Sequence, residues 1–385
     1  MTEQRKLRKD YIERTKTIVL KVGTRLLTAN DEASRQERID KLIEEVFFLR
    51  KKGYDLLLVT SGAIGTGMTV LKEKKRPKKL PDQQATAAIG QSKLMYMYET
   101  ACMKRGFHCA QILLCADDIS LSKKRHLHVL DCLNALLAKN VLPIINENDS
   151  VCVDEIRFGE NDRLSALLST MVQAELTVLL TMVDGMRERD SKTGELGNRI
   201  SIIKKLDNYH FKMAEGSDSQ LSRGGMKSKL EAAEIVTHAG EALWIIDGRT
   251  ISNIQKIADG GDIGTFFPPA NDSPLSGHKR WLAFFADITG SIIIDNGAEN
   301  AIVNAGKSLL PSGIVAVKKE FDRGDAVNLL NLSGMVLARG LANYSSAEIQ
   351  KIKGSKTSEI QDILGYYDYD VVVHRNHLAL TVKDR

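Results

Sequence analysis

The chain has 385 residues, 43% hydrophobic and 27% charged, too many for one small core and suited to two domains of unequal size. It contains no run of 18 or more apolar residues, and no apolar segment follows the charged N-terminus MTEQRKLRKDYIERTK. Neither a membrane span nor a secretory signal is therefore expected, and cytoplasmic residence is the default. The net charge of +5 is local, because residues 72–79 (KEKKRPKK) hold six cations and one anion while the remainder balances at 48 against 48. Such a run reads as a solvated loop or as a flap over an anionic ligand.

Thr17–Val22 (TIVLKV) is an apolar, β-branched run ending in Gly23-Thr24 and reads as a first, central strand. Its Lys21 is costly inside a buried strand unless it meets a counter-charge or an anion, so it is either an edge decoration or a phosphate-directed cation. A helix is predicted over 37–51, with Leu42, Val46 and Leu49 on one face, followed by a strand over 55–60. That strand runs into Ser61-Gly62-Ala63-Ile64-Gly65-Thr66-Gly67, and strand, glycine-rich turn and helix together bring backbone amides close to an anion. The turn matches neither GxGxxG nor a Walker loop. Residues 83–104 read as a long helix, 108–113 as a strand and 125–139 as a helix.

The strand over 141–145 opens the stretch around which the chain is arranged, LPIINENDSVCVDEIRFGENDRLSALL. Asn146-Glu147-Asn148-Asp149 lies at its strand end, and Glu160-Asn161-Asp162 lies just before an apolar run at helical spacing. Asp162 reads as the cap of that helix, with Leu164, Leu167, Leu168, Met171 and Val172 behind it. The two polar clusters point at one crevice if both lie at the carboxyl ends of strands in an open sheet. A further buried strand is expected over 177–181, a loop or hairpin around Asp184-Gly185 and Thr193-Gly194, a second glycine turn at 222–229 opening a helix, and a last strand over 242–246. Strands alternating with helices imply a mainly parallel sheet covered on both faces, a three-layer α/β sandwich.

The boundary falls in 267–278 (FPPANDSPLSGH), which places one domain over 1–268 and a second over 278–385. The second reads as mostly β, with short strands RWLAFF, GSIIID, GIVAV, AVNLLNL and VVVHR and one helix near 297–305. The five cysteines, Cys102, Cys109, Cys115, Cys132 and Cys152, show no CxxC pair and no histidine at zinc-ligand spacing, and read as reduced, mostly buried thiols.

Lysines beside glycine turns, with an acid-amide pocket between them in chain order, suit phosphoryl transfer, where catalysis is mostly positioning and charge neutralisation. Ala305-Gly306-Lys307-Ser308 is an accidental Walker-like run, since Ala301 stands where a glycine is needed. An acceptor oxygen that is already ionised needs no base, as for a carboxylate with a pKa of about 4.3, whereas an alcohol would call for one.

The set LKVGT, VTSGAIGTG, AAIGQSKLM, LPIINENDSV, FGENDRLSAL and GGMKSKLEAA, with LLPSGI and GYYDYDVVVHR beyond the boundary, closely resembles the glutamate 5-kinases, members of the amino acid kinase family with a C-terminal PUA domain. The resemblance covers 17–380. It implies phosphorylation of the L-glutamate γ-carboxylate by ATP and Mg²⁺ as the first step of proline synthesis, with proline as inhibitor. It also implies a homodimer or homotetramer, and transient contact with the reductase that consumes the acyl phosphate.

Carried over by residue, Lys21, Lys229 and Asp162 are the catalytic set, the lysines on the phosphates and Asp162 holding them. Ser61, Asp149, Asn161, Asn146, Gly62 and Ala63 hold glutamate, with Asp149 on its ammonium. Lys21, Gly23, Thr181, Met182, Arg223, Gly224, Gly225, Met226, Lys227, Ser228 and Lys229 hold ATP, and no side chain is assigned to a metal. Met182, Arg223 and Glu160 depart from the family's Asp, Thr and Asp, and the first two bear on nucleotide recognition. PUA domains also suggest an RNA-directed protein, but residues 278–385 hold 13 Lys or Arg against 12 Asp or Glu, without a basic stripe. A related acceptor, as in acetylglutamate, aspartate or uridylate kinases, is the remaining alternative.

Overall fold

The structure, a computed structural model, describes residues 3–27, 31–115, 118, 123–152, 161–189, 195–215, 225–270 and 277–381. It separates into two compact units, Met1–Asp117 with Leu127–Pro274, and Asp118–His126 with Leu275–Arg385.

In the first unit seven strands, β1 (Thr17–Val22), β2 (Asp55–Val59), β3 (Cys109–Leu114), β4 (Leu142–Glu147), β5 (Leu176–Thr181), β8 (Ala242–Asp247) and β9 (Thr265–Phe267), form one sheet in the order β3-β4-β2-β1-β5-β8-β9. All pairings are parallel except β8 with β9. β6 (Arg187–Arg189) and β7 (Leu196–Arg199) make a separate hairpin.

The two-residue period of a strand decides the layering. Ile18, Leu20 and Val22 share a core with Ile39, Leu42, Ile43 and Val46 of the helix Glu32–Lys51 and with Leu94 and Tyr98 of the helix Leu80–Met103. On the opposite face Leu179, Leu243 and Ile245 pack with Ala166 of the helix Asn161–Val172 and with Leu230, Ala233 and Val236 of the helix Met226–His238. This is the three-layer arrangement expected. Lys21, alternate to Leu20 and Val22, does not share their face, and the helix Asn161–Val172 packs against β1.

β1 is the central strand, and the chain runs first to its β2 side and later to its β5 side. The crevice beyond the carboxyl ends of β1, β2 and β5 is therefore a topological switch point, where ligands bind in open α/β sheets. The helices Ala63–Val70 and Leu80–Met103 meet backbone to backbone there. A Cβ on Gly90 would lie 1.9 Å from the Ala63 carbonyl oxygen, and one on Gly67 would lie 1.9 Å from that of Thr86.

The second unit is built on a five-stranded sheet in the order β11 (Ile314–Lys318), β10 (Ile288–Ile294), β12 (Ala326–Leu330), β13 (Val336–Leu341) and β14 (Leu378–Leu380). Ile292, Ile294, Val327 and Leu329 pack with Ile349 and Ile352 in its core. Two strand expectations fail in this unit. Trp281–Phe285 is a π-helical turn following the helix Gly277–Arg280. Its buried Leu282, Phe285 and Ala286 fall at i, i+3 and i+4, a helical stripe that a short apolar run disguises. In VVVHR the adjacent Val372 and Val373 are both buried, and only an isolated bridge from Val373 to Leu309 forms.

The close approach at Gly90 gives a contrast between two glycines of this helix pair. Gly90→Ala should lower unfolding stability by about 1–3 kcal/mol through overpacking. Gly65→Ala, whose Cβ would meet nothing within 4 Å, should be neutral or stabilising. Urea midpoints at unchanged slope measure both.

Candidate active site

The carboxylate of Asp162 is the junction of the site. It sits in the first turn of the helix Asn161–Val172, and only 1% of its surface is exposed. Lys21 Nζ, from the end of β1, is 2.5 Å from Oδ1, and Lys229 Nζ, from the helix Met226–His238, is 3.1 Å from Oδ2. Ser228 Oγ donates to the same Oδ2 at 3.0 Å. Burial alone would raise the Asp162 pKa, but the two ammonium groups hold it well below the usual carboxylate range. Two buried cations against one buried anion leave a positive balance facing the crevice.

The cap role expected of Asp162 is thus replaced. The helix begins at Asn161, and the Asp162 side chain is committed to side chains from two other elements rather than to its own first-turn amides.

A cavity of about 500 Å³ opens here, lined among others by Lys21, Gly23, Ser61, Asp162, Thr181, Met182, Gly225, Met226 and Lys229. Gly225 caps the helix Met226–His238, whose first turn follows directly. Free first-turn amides and the positive end of the helix dipole favour an anion at such a position. Thr181 lines the cavity, but its hydroxyl accepts from Val183 N at 3.0 Å and so serves the turn. Ser228 faces Asp162 instead of the cavity, and Lys227 is exposed outside the lining. Arg223, Gly224 and Glu160 lie outside the described residues. None of the cations in 72–79 lines the cavity.

Of the residues predicted for the acceptor, Ser61 lines the cavity, and Asn161 and, through Asn161, Asn146 are joined to it by hydrogen bonds. Gly62 adopts φ +104°, which favours glycine, and it starts the helix Ala63–Val70 whose first residue, Ala63, is buried. Asn161 Nδ2 donates to Thr60 O, to Ser61 Oγ at 2.8 Å and to Asn146 Oδ1 at 3.0 Å. Asn146, at the end of β4, donates through Nδ2 to Gln91 Oε1 at 2.8 Å. Asp149 follows β4 in a turn begun by Asn148, whose N–H bonds to Leu114 O at 3.0 Å.

That turn is closed covalently. Cys115, just after β3, and Cys152 form a disulfide across 37 residues with a Cα–Cα distance of 5.9 Å, which corrects the expectation that all five cysteines are thiols. Adjacent parallel strands bring their carboxyl ends together, a proximity that sequence spacing does not reveal. Cys102, Cys109 and Cys132 remain free.

Sequence reasoning missed Gln91, and it missed the local pairs Asp184–Arg187 and Asp247–Arg249, each with a closest contact of 2.6 Å. Asp184, Arg187 and Arg249 line the cavity. The pairs at i, i+3 and i, i+2 were visible as charge patterns, whereas Gln91 offered only a polar position within a helix.

Comparison with known proteins gives the family of the chain. The profile described as Amino acid kinase family matches residues 16–247, and that of the PUA domain matches 290–364. Glutamate 5-kinase of Caldanaerobacter subterraneus subsp. tengcongensis is 42% identical over 94% of this chain and 97% of its own. That of Syntrophotalea carbinolica is 40% identical over 97% of this chain and 100% of its own. A solved carbamate kinase from Giardia overlaps 66% of this chain and 99% of its own at 16% identity and a TM-score of 0.45. With the two family profiles and relatives at this identity spanning nearly its whole length, the chain belongs to the glutamate 5-kinase family of amino acid kinases that carry a PUA domain.

Proposed function

We propose that the enzyme transfers the γ-phosphoryl group of ATP to the γ-carboxylate of L-glutamate, giving γ-glutamyl phosphate and ADP, in the cytoplasm and under feedback by proline. The observation that carries this reading is the buried Lys21–Asp162–Lys229 arrangement at the switch point. Two ammonium groups held apart by one carboxylate are preset for charge spread over phosphoryl oxygens, and they need no reorganisation as the phosphoryl group moves. The cavity adds apolar Met186, Met213, Ala214 and Met226 to these cations, a mixture suited to a nucleotide's base and phosphates. The acceptor carboxylate is ionised at neutral pH, so no base is required of the protein.

Among the described residues no group of three or more His, Cys, Asp or Glu is placed to hold a metal ion. Asp162 is committed to its two lysines. Mg²⁺ enters with the substrate as MgATP, which suits an ion commonly held through nucleotide phosphates. Asp149 is the partner for the glutamate ammonium, while Asn161 and Ser61 line the acceptor side. Gly23 and Gly62 present backbone where the phosphoryl group passes. The PUA unit serves regulation or assembly, and the kinase units associate as a dimer or tetramer.

Glutamate-dependent ADP release from MgATP, with hydroxylamine trapping the acyl phosphate as its hydroxamate, tests the reaction, and trapped product should fall when proline is added. Absence of hydroxamate with ATP and glutamate would refute it. Asp149→Ala should raise the KM for glutamate far more than that for ATP, while Lys229→Ala should lower kcat by about 10²–10³-fold.

The depressed pKa of Asp162 also sets a pH expectation. A carboxyl group depressed on folding contributes stability above its unfolded pKa of about 3.9 and loses it only as pH falls further toward the folded value. From pH 5 to 9 neither stability nor kcat should show an inflection from Asp162. Asp162→Asn should abolish turnover by leaving two buried ammonium groups uncompensated, and circular dichroism would show whether the variant stays folded.

A further inference from the structure

Three amide side chains form a chain whose direction is fixed at one end by the backbone. The Thr60 carbonyl can only accept, so Asn161 must turn Nδ2 toward it, and the same nitrogen reaches Asn146 Oδ1 at 3.0 Å. Asn146, with its oxygen engaged, turns Nδ2 to Gln91 Oε1 at 2.8 Å. Reversing any one amide would set oxygen against oxygen or N–H against N–H. All three residues are more than nine-tenths buried, with exposures of 6% for Asn161, 2% for Asn146 and 8% for Gln91.

Within this trio two buried atoms are left without a hydrogen-bond partner among the described residues, the acceptor Asn161 Oδ1 and the donor Gln91 Nε2. A buried polar atom without a partner is costly, and a ligand's complementary group would remove that cost. The position of Gln91 is itself constrained, because neighbouring Gly90 lies against the backbone of Ala63 and Gly67, immediately after the Ser61-Gly62 turn.

We infer that Gln91 is a positioning residue of the acceptor pocket. By accepting from Asn146 Nδ2 it holds the Asn146 amide in the place from which its Oδ1 accepts from Asn161, so that the Asn161 amide, whose direction Thr60 sets, stays fixed with Oδ1 as a buried acceptor for the ammonium group of an amino-acid substrate. The inference rests on the reading of that substrate as an α-amino acid. It assigns the specificity of the pocket partly to a side chain on the far end of the chain from the ligand.

The test is steady-state kinetics on the full-length enzyme with Gln91→Met, Gln91→Glu, Asn146→Ala and the double variant Gln91→Met/Asn146→Ala. Gln91→Met should raise the KM for glutamate about five- to tenfold while the KM for ATP stays within about twofold. Gln91→Glu keeps an acceptor for Asn146 and should recover most of that loss, which also guards against a methionine variant that simply folds badly. The double variant should be no worse than Asn146→Ala alone, because Gln91 acts through Asn146. An unchanged glutamate KM in Gln91→Met, equal rises in both KM values, or additive losses with Asn146→Ala would each overturn the inference. If the wild type did not saturate with glutamate, the acceptor reading would fall and take the inference with it. Normal wild-type saturation beside an unaffected Gln91→Met would overturn the inference alone.

Discussion

The candidate active site depends on one buried carboxylate held between two mostly buried ammonium groups. Taking three charges from solvent is costly, and mutual attraction offsets this only where geometry is good and the remaining lone pairs are occupied. Asp162 meets both conditions, with one oxygen on Lys21 and the other shared by Lys229 and Ser228. Among these three side chains two cations face one anion, a balance that an anion bound in the crevice would compensate.

Three elements far apart in sequence supply this junction, and the sheet order brings them together. β1 is central and delivers Lys21 on the face opposite Leu20 and Val22, while β5 and β8 extend the sheet on the side from which the two helices bearing Asp162 and Lys229 are connected. On the other side of β1, the carboxyl ends of β2 and β4 hold Ser61 and Asn146. In the proposed reading, nucleotide and acceptor functions divide across the central strand, with the phosphoryl path between them.

The acceptor side is held by neutral hydrogen bonds of fixed direction. Such networks are specific because a half-satisfied member is costly, and here the unsatisfied atoms are an acceptor at one residue and a donor at another. The turn bearing Asp149 is further restricted by the Cys115–Cys152 bond, which closes a 37-residue span. In a reducing compartment that pair would be held as thiols, so the compartment decides whether the restraint is present.

Much of this was legible in the residues themselves. The apolar runs ending in glycine gave the parallel strands and their turns, because buried strands between helices must be apolar and only glycine admits the φ of Gly62. Lys21 stood out as a charge in a buried strand, and the Asn146–Asp149 and Asn161–Asp162 clusters stood out as polar breaks in apolar sequence. What those groups bond to was not legible from pattern and spacing, and that Asp162 holds the two lysines was implied only by the family resemblance. Asp162 looked like a helix cap, Cys115 and Cys152 looked like thiols, RWLAFF looked like a strand, and Gln91 looked like any polar position on a helix. Sequence pattern records each residue's preference for water and for a local backbone shape. Whether Lys21 meets Asp162 across 141 positions, or Gln91 meets Asn146 across 55, is set by strand order and by which face each side chain takes, and only the folded sheet decides those.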